Sequence, residues 1–147
     1  MELVKYPARI YLDPEDKEGR WLVHFRGLGG GEVGLWTCGD SIEHAREMAR
    51  ECLSLYLEDG EVEPPPSLEE GEEFVAPELQ IAIALTIRKF RTVAGLSQAQ
   101  AAARLGVAPS TYNRWENPKC CNATAETIER IARAFGRRVE MSFPEAS

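Results

Sequence analysis

Leu96-Ser97-Gln98-Ala99-Gln100-Ala101-Ala102-Ala103-Arg104-Leu105-Gly106-Val107-Ala108-Pro109-Ser110-Thr111-Tyr112-Asn113-Arg114-Trp115-Glu116-Asn117 is the stretch on which the reading of this 147-residue chain turns. Ser97 and Gln100 have the S-x-x-Q spacing of a capping box. In such a box a hydroxyl and an amide each satisfy a backbone N–H that the first helical turn leaves without a partner. Gly106 follows Leu105 and ends that helix, because glycine enters a left-handed C-cap without a Cβ clash. Pro109, with its φ already suited to a first turn, opens the next helix, which runs through Tyr112 and Trp115. Two short helices joined by Gly106-Val107-Ala108 cross each other, and the start of the second is left exposed for a major groove.

Before this stretch, Leu79, Ile83, Ile87, Phe90 and Ala94 are spaced for one helical face, and Gly95 closes it. After it comes a turn at Asn117 and Pro118, then a helix with Ile128, Ile131, Ala132 and Phe135 on one stripe, stopping at Gly136. Residues 139–143 read as a strand, an edge able to pair with a second copy across a two-fold axis.

The first half has a different period. Ala8, Ile10 and Leu12 alternate with Arg9 and Tyr11. After a polar turn over residues 13–19, Trp21, Val23 and Phe25 alternate with Leu22 and His24, which predicts a hairpin. Residues 35–37 supply a third strand. Residues 41–59 change to helical spacing, with Asp40 or Ser41 to cap the start and Gly60 to end it. Residues 61–73, with Pro64 to Pro66 and many carboxylates, form a connector, and Phe74 and Val75 add a short edge strand. The fold class expected is therefore α+β: a small antiparallel sheet with one covering helix over residues 1–76, then an all-α domain over residues 77–147.

Composition narrows the classes. Apolar residues make up 44% and charged residues 28%, the balance of a soluble globular protein. The longest apolar run, residues 81–87, is too short to span a bilayer, and Glu2 directly after Met1 gives no leader pattern. A cytoplasmic protein without membrane partners is expected. The formal net charge of -7 divides unevenly. Residues 1–76 hold seven Lys/Arg against eighteen Asp/Glu, net -11, and residues 77–147 hold ten against six, net +4. The acidic half suits a basic protein partner, and the basic half has the sign that a phosphate backbone requires.

Catalytic and metal chemistry find little support. Cys38, Cys52, Cys120 and Cys121 include no C-x-x-C pair and read as free thiols. Gly29 to Gly34 satisfies G-x-G-x-x-G, but the run leads into a strand and not a helix N-terminus, so it reads as a turn. Asp13, Glu15, Asp16 and Glu18 lack calcium-loop spacing, because Lys17 and Glu18 fall where a ligand and a glycine belong. His24 and His44 have no evident nucleophile partner, and no carboxylate set suits two metal ions. No catalytic residue, cofactor or metal is expected, so the protein is not read as an enzyme.

Two resemblances add to this. Residues 79–138, through the stretch quoted above, resemble the helix-turn-helix of Xre/Cro-family repressors. The resemblance implies that Gln98 holds a phosphate and that the recognition helix reads DNA from Pro109, Ser110 and Arg114, with Thr111, Asn113 and Lys119 beside them. It also implies that Arg91 and Glu116 form a structural ion pair. Tyr6-Pro7-Ala8-Arg9-Ile10, the turn from Phe25, Gly39-Asp40-Ser41, the helix through Ala45 and Leu53, and Pro64 to Ser67 together look like HicB antitoxins. That resemblance implies a partial RNase H-like fold that binds HicA, a small basic mRNA-cleaving toxin, while the second domain represses the operon. Tyr11, Asp13, Glu15, Glu32 and Trp36 are the candidate toxin contacts. Operator DNA, the toxin and a homodimer or higher oligomer are the expected partners. The alternative is a ligand-sensing transcriptional repressor with no toxin partner.

Overall fold

The computed structural model describes residues 2–30, 33–59, 67–143 and 145. In chain order its elements are β1 (Tyr6–Leu12), β2 (Trp21–Phe25), β3 (Leu35–Gly39), α1 (Ile42–Asp59), β4 (Glu72–Val75), α2 (Leu79–Val93), α3 (Gln98–Leu105), α4 (Pro109–Trp115) and α5 (Ala125–Ala134). The expected α+β class is the one observed. The elements form two compact units, one of Lys5–Glu78 and one running from Leu79 onward together with the N-terminal residues up to Val4.

The first unit is an antiparallel sheet in the order β3-β2-β1-β4. Strand alternation sorts its two faces. Ala8 stands opposite Phe25, and Ile10 opposite Val23. Ala8, Val23 and Phe25 are fully buried, as are Ala45, Ala49, Leu53 and Leu57 of α1, which lies against all four strands. The reverse face carries Arg9, Tyr11, Leu22, His24, Trp36 and Cys38. β4 extends back to Glu72 and occupies the sheet edge, as Phe74 and Val75 suggest, and β3 runs two residues past Thr37.

Local polar groups hold the turns. In the hairpin, Asp13 Oδ1 accepts the Glu15 N–H at 2.9 Å and Asp16 Oδ1 accepts the Glu18 N–H at 2.8 Å, so both carboxylates fold the chain back on itself. Ser41, not Asp40, caps α1: its Oγ accepts the His44 N–H at 3.1 Å, and His44 Nδ1 accepts the Asp40 N–H at 3.0 Å. The proposed stop at Gly60 lies outside the described residues. Arg26 ties β4 to the end of β2 by donating from Nη2 to Glu72 Oε1 at 3.1 Å and to the Ser67 carbonyl at 3.0 Å. Burial pushes the Glu72 carboxyl up, but hydrogen bonding and charge from Arg26, with the Glu69 N–H, outweigh it and leave Glu72 below its ordinary value.

In the second unit the helix signals act as read. Ser97 Oγ accepts the Gln100 N–H at 3.1 Å and Gln100 Oε1 accepts the Ser97 N–H at 2.8 Å, so both halves of the capping box are made. Gly106 takes φ 70°, and Pro109 stands in the first turn of α4. Thr124 caps α5 by accepting the Thr127 N–H at 3.2 Å. The core joins Ile87, Ala101, Ala102, Leu105, Tyr112, Ile131 and Phe135, with Ile83, Phe90 and Trp115 at its margin. α3 and α5 cap each other: Arg104 Nη1 donates to the Ala134 carbonyl at 3.3 Å, and Arg130 Nη2 donates to the Leu105 carbonyl at 2.9 Å. Each arginine thus supplies a cation and a donor to the carbonyl end of its neighbour.

Two expectations need correcting. The α2 stripe is wider than Leu79, Ile83, Ile87, Phe90 and Ala94: Leu79 and Ala94 are exposed, whereas Ile81, Ala82, Ala84, Leu85 and Thr86 are buried. Part of the reason is the N-terminal segment, where the Val4 N–H donates to Thr86 Oγ1 at 3.0 Å and adds cover on a side the single stripe ignores. The strand expected over residues 139–143 is not formed, and Met141 and Phe143 are 76% and 88% exposed. An alternating pattern needs a neighbouring ladder, and this unit contains only helices among its described elements.

Sheet and helix come close at Gly39, where a Cβ would stand 2.4 Å from the Ala45 backbone nitrogen. Gly39→Ala is expected to cost about 1–3 kcal/mol, because backbone must move to admit the methyl group. Urea unfolding followed by circular dichroism checks this; a midpoint equal to that of the parent chain would contradict the contact.

Candidate nucleic-acid interface

The geometry around α3 and α4 starts from one buried carboxylate. Glu116, which ends α4, is fully buried. Arg91 of α2 donates from Nε to Glu116 Oε2 at 2.7 Å and from Nη2 to Oε1 at 3.0 Å, a two-point contact of planar groups. Its Nη1 donates to the Leu96 carbonyl at 2.8 Å. One guanidinium therefore joins α2, the turn after it and the end of α4. Arg88 adds a second cation, with Nη2 donating to the Glu116 carbonyl at 3.1 Å and Nε 3.6 Å from Oε1. Gln98, first residue of α3, donates from Nε2 to Oε1 at 3.2 Å. A buried ion of either sign is expensive alone, and here both charges are matched.

Tyr112 points its ring into the core, edge-on to Trp115 with centroids 6.0 Å apart. Its hydroxyl is buried and has no hydrogen-bond partner among the described residues. Burial first, then the close Glu116 carboxylate, pushes the phenol above its ordinary value, so it stays neutral.

With Tyr112, Trp115 and Glu116 turned inward, the remaining side chains of α4 face out. Pro109, Ser110, Thr111, Asn113 and Arg114 are all exposed. Among the described residues the Arg114 guanidinium makes no ion pair, so its charge is not engaged by a neighbouring carboxylate. Lys119 is exposed in the following turn, which Asn117 shapes by accepting the Lys119 N–H on Oδ1 at 3.0 Å. The start of α3, the outer side of α4 and this turn thus carry the seven candidate DNA contacts, with the Arg91–Glu116 pair beneath them.

The candidate toxin contacts lie in the other unit. Tyr11 and Trp36 share the sheet face opposite α1. Trp36 stacks on His24 with centroids 4.1 Å apart, and its indole N–H donates to the Val33 carbonyl. Asp13 and Glu15 sit in the hairpin turn, and Glu32 lies outside the described residues. All four cysteines are free; Cys38 and Cys52 are half-buried, Cys120 is exposed and Cys121 buried. Burial pushes the Cys52 and Cys121 thiols up, away from reactivity.

Sequence reasoning missed Arg88 and the link from Gln98 to Glu116. Arg88 was within reach of it, since a residue three before Arg91 shares its helical face.

Residues 87–141 match the helix-turn-helix family model. No match was found among curated proteins. The chain thus carries a helix-turn-helix domain, the equipment of a DNA-binding transcription regulator. No described helix is long and apolar enough to cross a membrane, and no group of three or more His, Cys, Asp or Glu among the described residues could hold a metal ion.

Two substitutions separate the parts of the buried cluster. Arg91→Ala strands the Glu116 carboxylate and is expected to lower stability by about 3–5 kcal/mol. Tyr112→Phe removes only an unpartnered hydroxyl and is expected to stay within about 1 kcal/mol of the parent, on the stabilising side if it moves. Paired urea titrations of the two variants check both values. A large loss from Tyr112→Phe would mean that the hydroxyl is hydrogen-bonded in solution.

Proposed function

We propose that this protein is the antitoxin of a type II toxin–antitoxin pair: it neutralises a HicA-like mRNA-cleaving toxin by direct binding and represses its own operon through the helix-turn-helix. The observation that carries the reading is the charge division, with net -11 over residues 1–76 joined to a helix-turn-helix half of net +4. A ribonuclease must attract RNA phosphates, so an acidic protein surface competes for the same cations. On α1, Glu43, Glu47, Glu51 and Glu58 are all exposed. Glu43, Glu47 and Glu51 follow one another at four-residue intervals, and each such like-charge pair costs about 0.2–0.5 kcal/mol of helix stability. A surface kept acidic against that cost suits a basic partner.

Co-expression of the full chain with the small basic protein encoded beside its gene tests the reading. The two are expected to co-purify, the complex to lose RNA cleavage, and association to weaken as salt rises. The chain alone is expected to sediment as at least a dimer, since one such domain reads a single half-site. A neighbouring ribonuclease that stays fully active under saturating chain would end the antitoxin reading, and absence of any such neighbour would favour the ligand-sensing repressor.

In the DNA half, Arg114→Ala and Lys119→Ala are expected to differ. Arg114 stands one turn beyond Ser110, where a guanidinium reaches O6 and N7 of a guanine. Its loss costs about 1–3 kcal/mol on the operator and relaxes preference at one base pair. Lys119 serves the backbone, so its loss weakens operator and scrambled DNA alike and lowers the salt slope by about one charge. Titration of both variants against both duplexes at several salt concentrations checks this; equal losses on the two DNAs for Arg114→Ala would remove it as a base reader.

A further inference from the structure

The two oxygens of the Glu116 carboxylate are used unequally. Oε2 receives the Arg91 Nε–H, whereas Oε1 receives both Arg91 Nη2 and Gln98 Nε2. Gln98 is the first residue of α3, next to the Ser97 cap, so its amide stands where the helix presents its N–H end. A carboxamide nitrogen has two N–H donors and its oxygen only accepts. One of those donors is taken by Glu116, and among the described residues the second N–H and the Gln98 carbonyl oxygen have no partner.

The two ends of a carboxamide are alike in size, so packing alone does not choose between them. Electrostatics does. A phosphate oxygen attracts the N–H end and repels the carbonyl end. In the flipped orientation the Gln98 carbonyl would face the Glu116 carboxylate, two acceptors together with no proton between them, in a place where unpaired polar atoms are costly. Because Glu116 can only accept, it holds the nitrogen end of Gln98 and excludes the flipped one.

We infer that Glu116, besides pairing with Arg91, is the positioning residue for the DNA-backbone contact of Gln98: its buried carboxylate fixes the amide so that a donor remains for a phosphate oxygen. The inference rests on the reading of Gln98 as a backbone contact.

Two measurements test it. The first uses no DNA: side-chain amide exchange of Gln98 in the full chain by NMR, with Gln100 as internal reference. The Gln100 side chain accepts the Ser97 N–H and donates to nothing among the described residues. A Gln98 side-chain proton is expected to exchange about tenfold more slowly than those of Gln100, the protection of one charge-assisted hydrogen bond. In Glu116→Gln the single remaining acceptor goes to Arg91, an NH2 group faces Gln98, and the protection disappears.

The second is affinity for a short labelled duplex of random sequence at low salt, where backbone contacts dominate. Gln98→Ala and Glu116→Gln are each expected to weaken binding about tenfold. The double variant is expected to be no weaker than the weaker single, because both remove the same contact. If Glu116→Gln does not fold, Glu116→Asp takes its place: it keeps a charge for Arg91 but withdraws the carboxylate from Gln98 by one methylene. Losses that multiply to about a hundredfold would overturn the inference. Equal exchange of Gln98 and Gln100 in the parent chain overturns it whatever the variants do. Slow exchange with Gln98→Ala binding as well as the parent means instead that Gln98 does not touch the backbone, and the inference falls with that reading.

Discussion

Everything in the helical unit is arranged around a carboxylate that water cannot reach. Glu116 draws Arg88 and Arg91 of α2, the first side chain of α3 and its own helix end to one point. Three helices meet there because an ion of that kind, once buried, must have partners in nearly fixed directions. The apolar residues around Ile87, Ala102 and Ile131 supply the bulk of burial, but apolar contact is indifferent to a sliding of one helix along another. The ion pair is not, and it sets the register of α4 against α2.

The sheet unit is built on a different constraint, the closeness of chain to chain. Gly39 lets the α1 backbone come down onto β3, and alanines at 45 and 49 keep that side of the helix thin. Larger residues come further along, at Leu53 and Leu57, where there is more depth to fill. On α1 the acidic side chains Glu43, Glu47, Glu51 and Glu58 are left to the outside. Glu72 and Glu73 of β4 are instead partly buried and held by Arg26 and Arg46.

What could be read from the chain follows the range of each signal. The capping box at Ser97 and Gln100, the glycine after Leu105 and the proline opening α4 all act within four residues, and each does what its chemistry requires. Hairpin alternation is equally local, and the strands of the first unit fall close to where it places them. The bond from Gln98 to Glu116 spans 18 positions and the one from Val4 to Thr86 spans 82, and no periodic pattern encodes either. The reciprocal arginine caps were illegible for another reason: their acceptors are backbone carbonyls, which every residue has. Residues 139–143 misled because alternation reports a preference, and a strand also needs a neighbour. Of the sites, the sequence marks the outward residues of α4 well, since only two of its positions, Tyr112 and Trp115, turn in. The candidate contacts of the sheet unit, Tyr11 and Trp36 among them, carry no such mark.

The mutual capping of α3 and α5 also determines how the domain can be taken apart. Arg130 closes the carbonyl end of α3, and Arg104 closes that of α5. A segment cut from Ser97 to Trp115 and grafted onto another scaffold would arrive with one helix end bare and one arginine idle. The smallest transplantable piece is therefore four helices and not two, because Glu116 also needs the arginines of α2. Within that piece, the exposed positions from 109 to 114 can be changed while Tyr112 is kept, since none of the others takes part in the bracing.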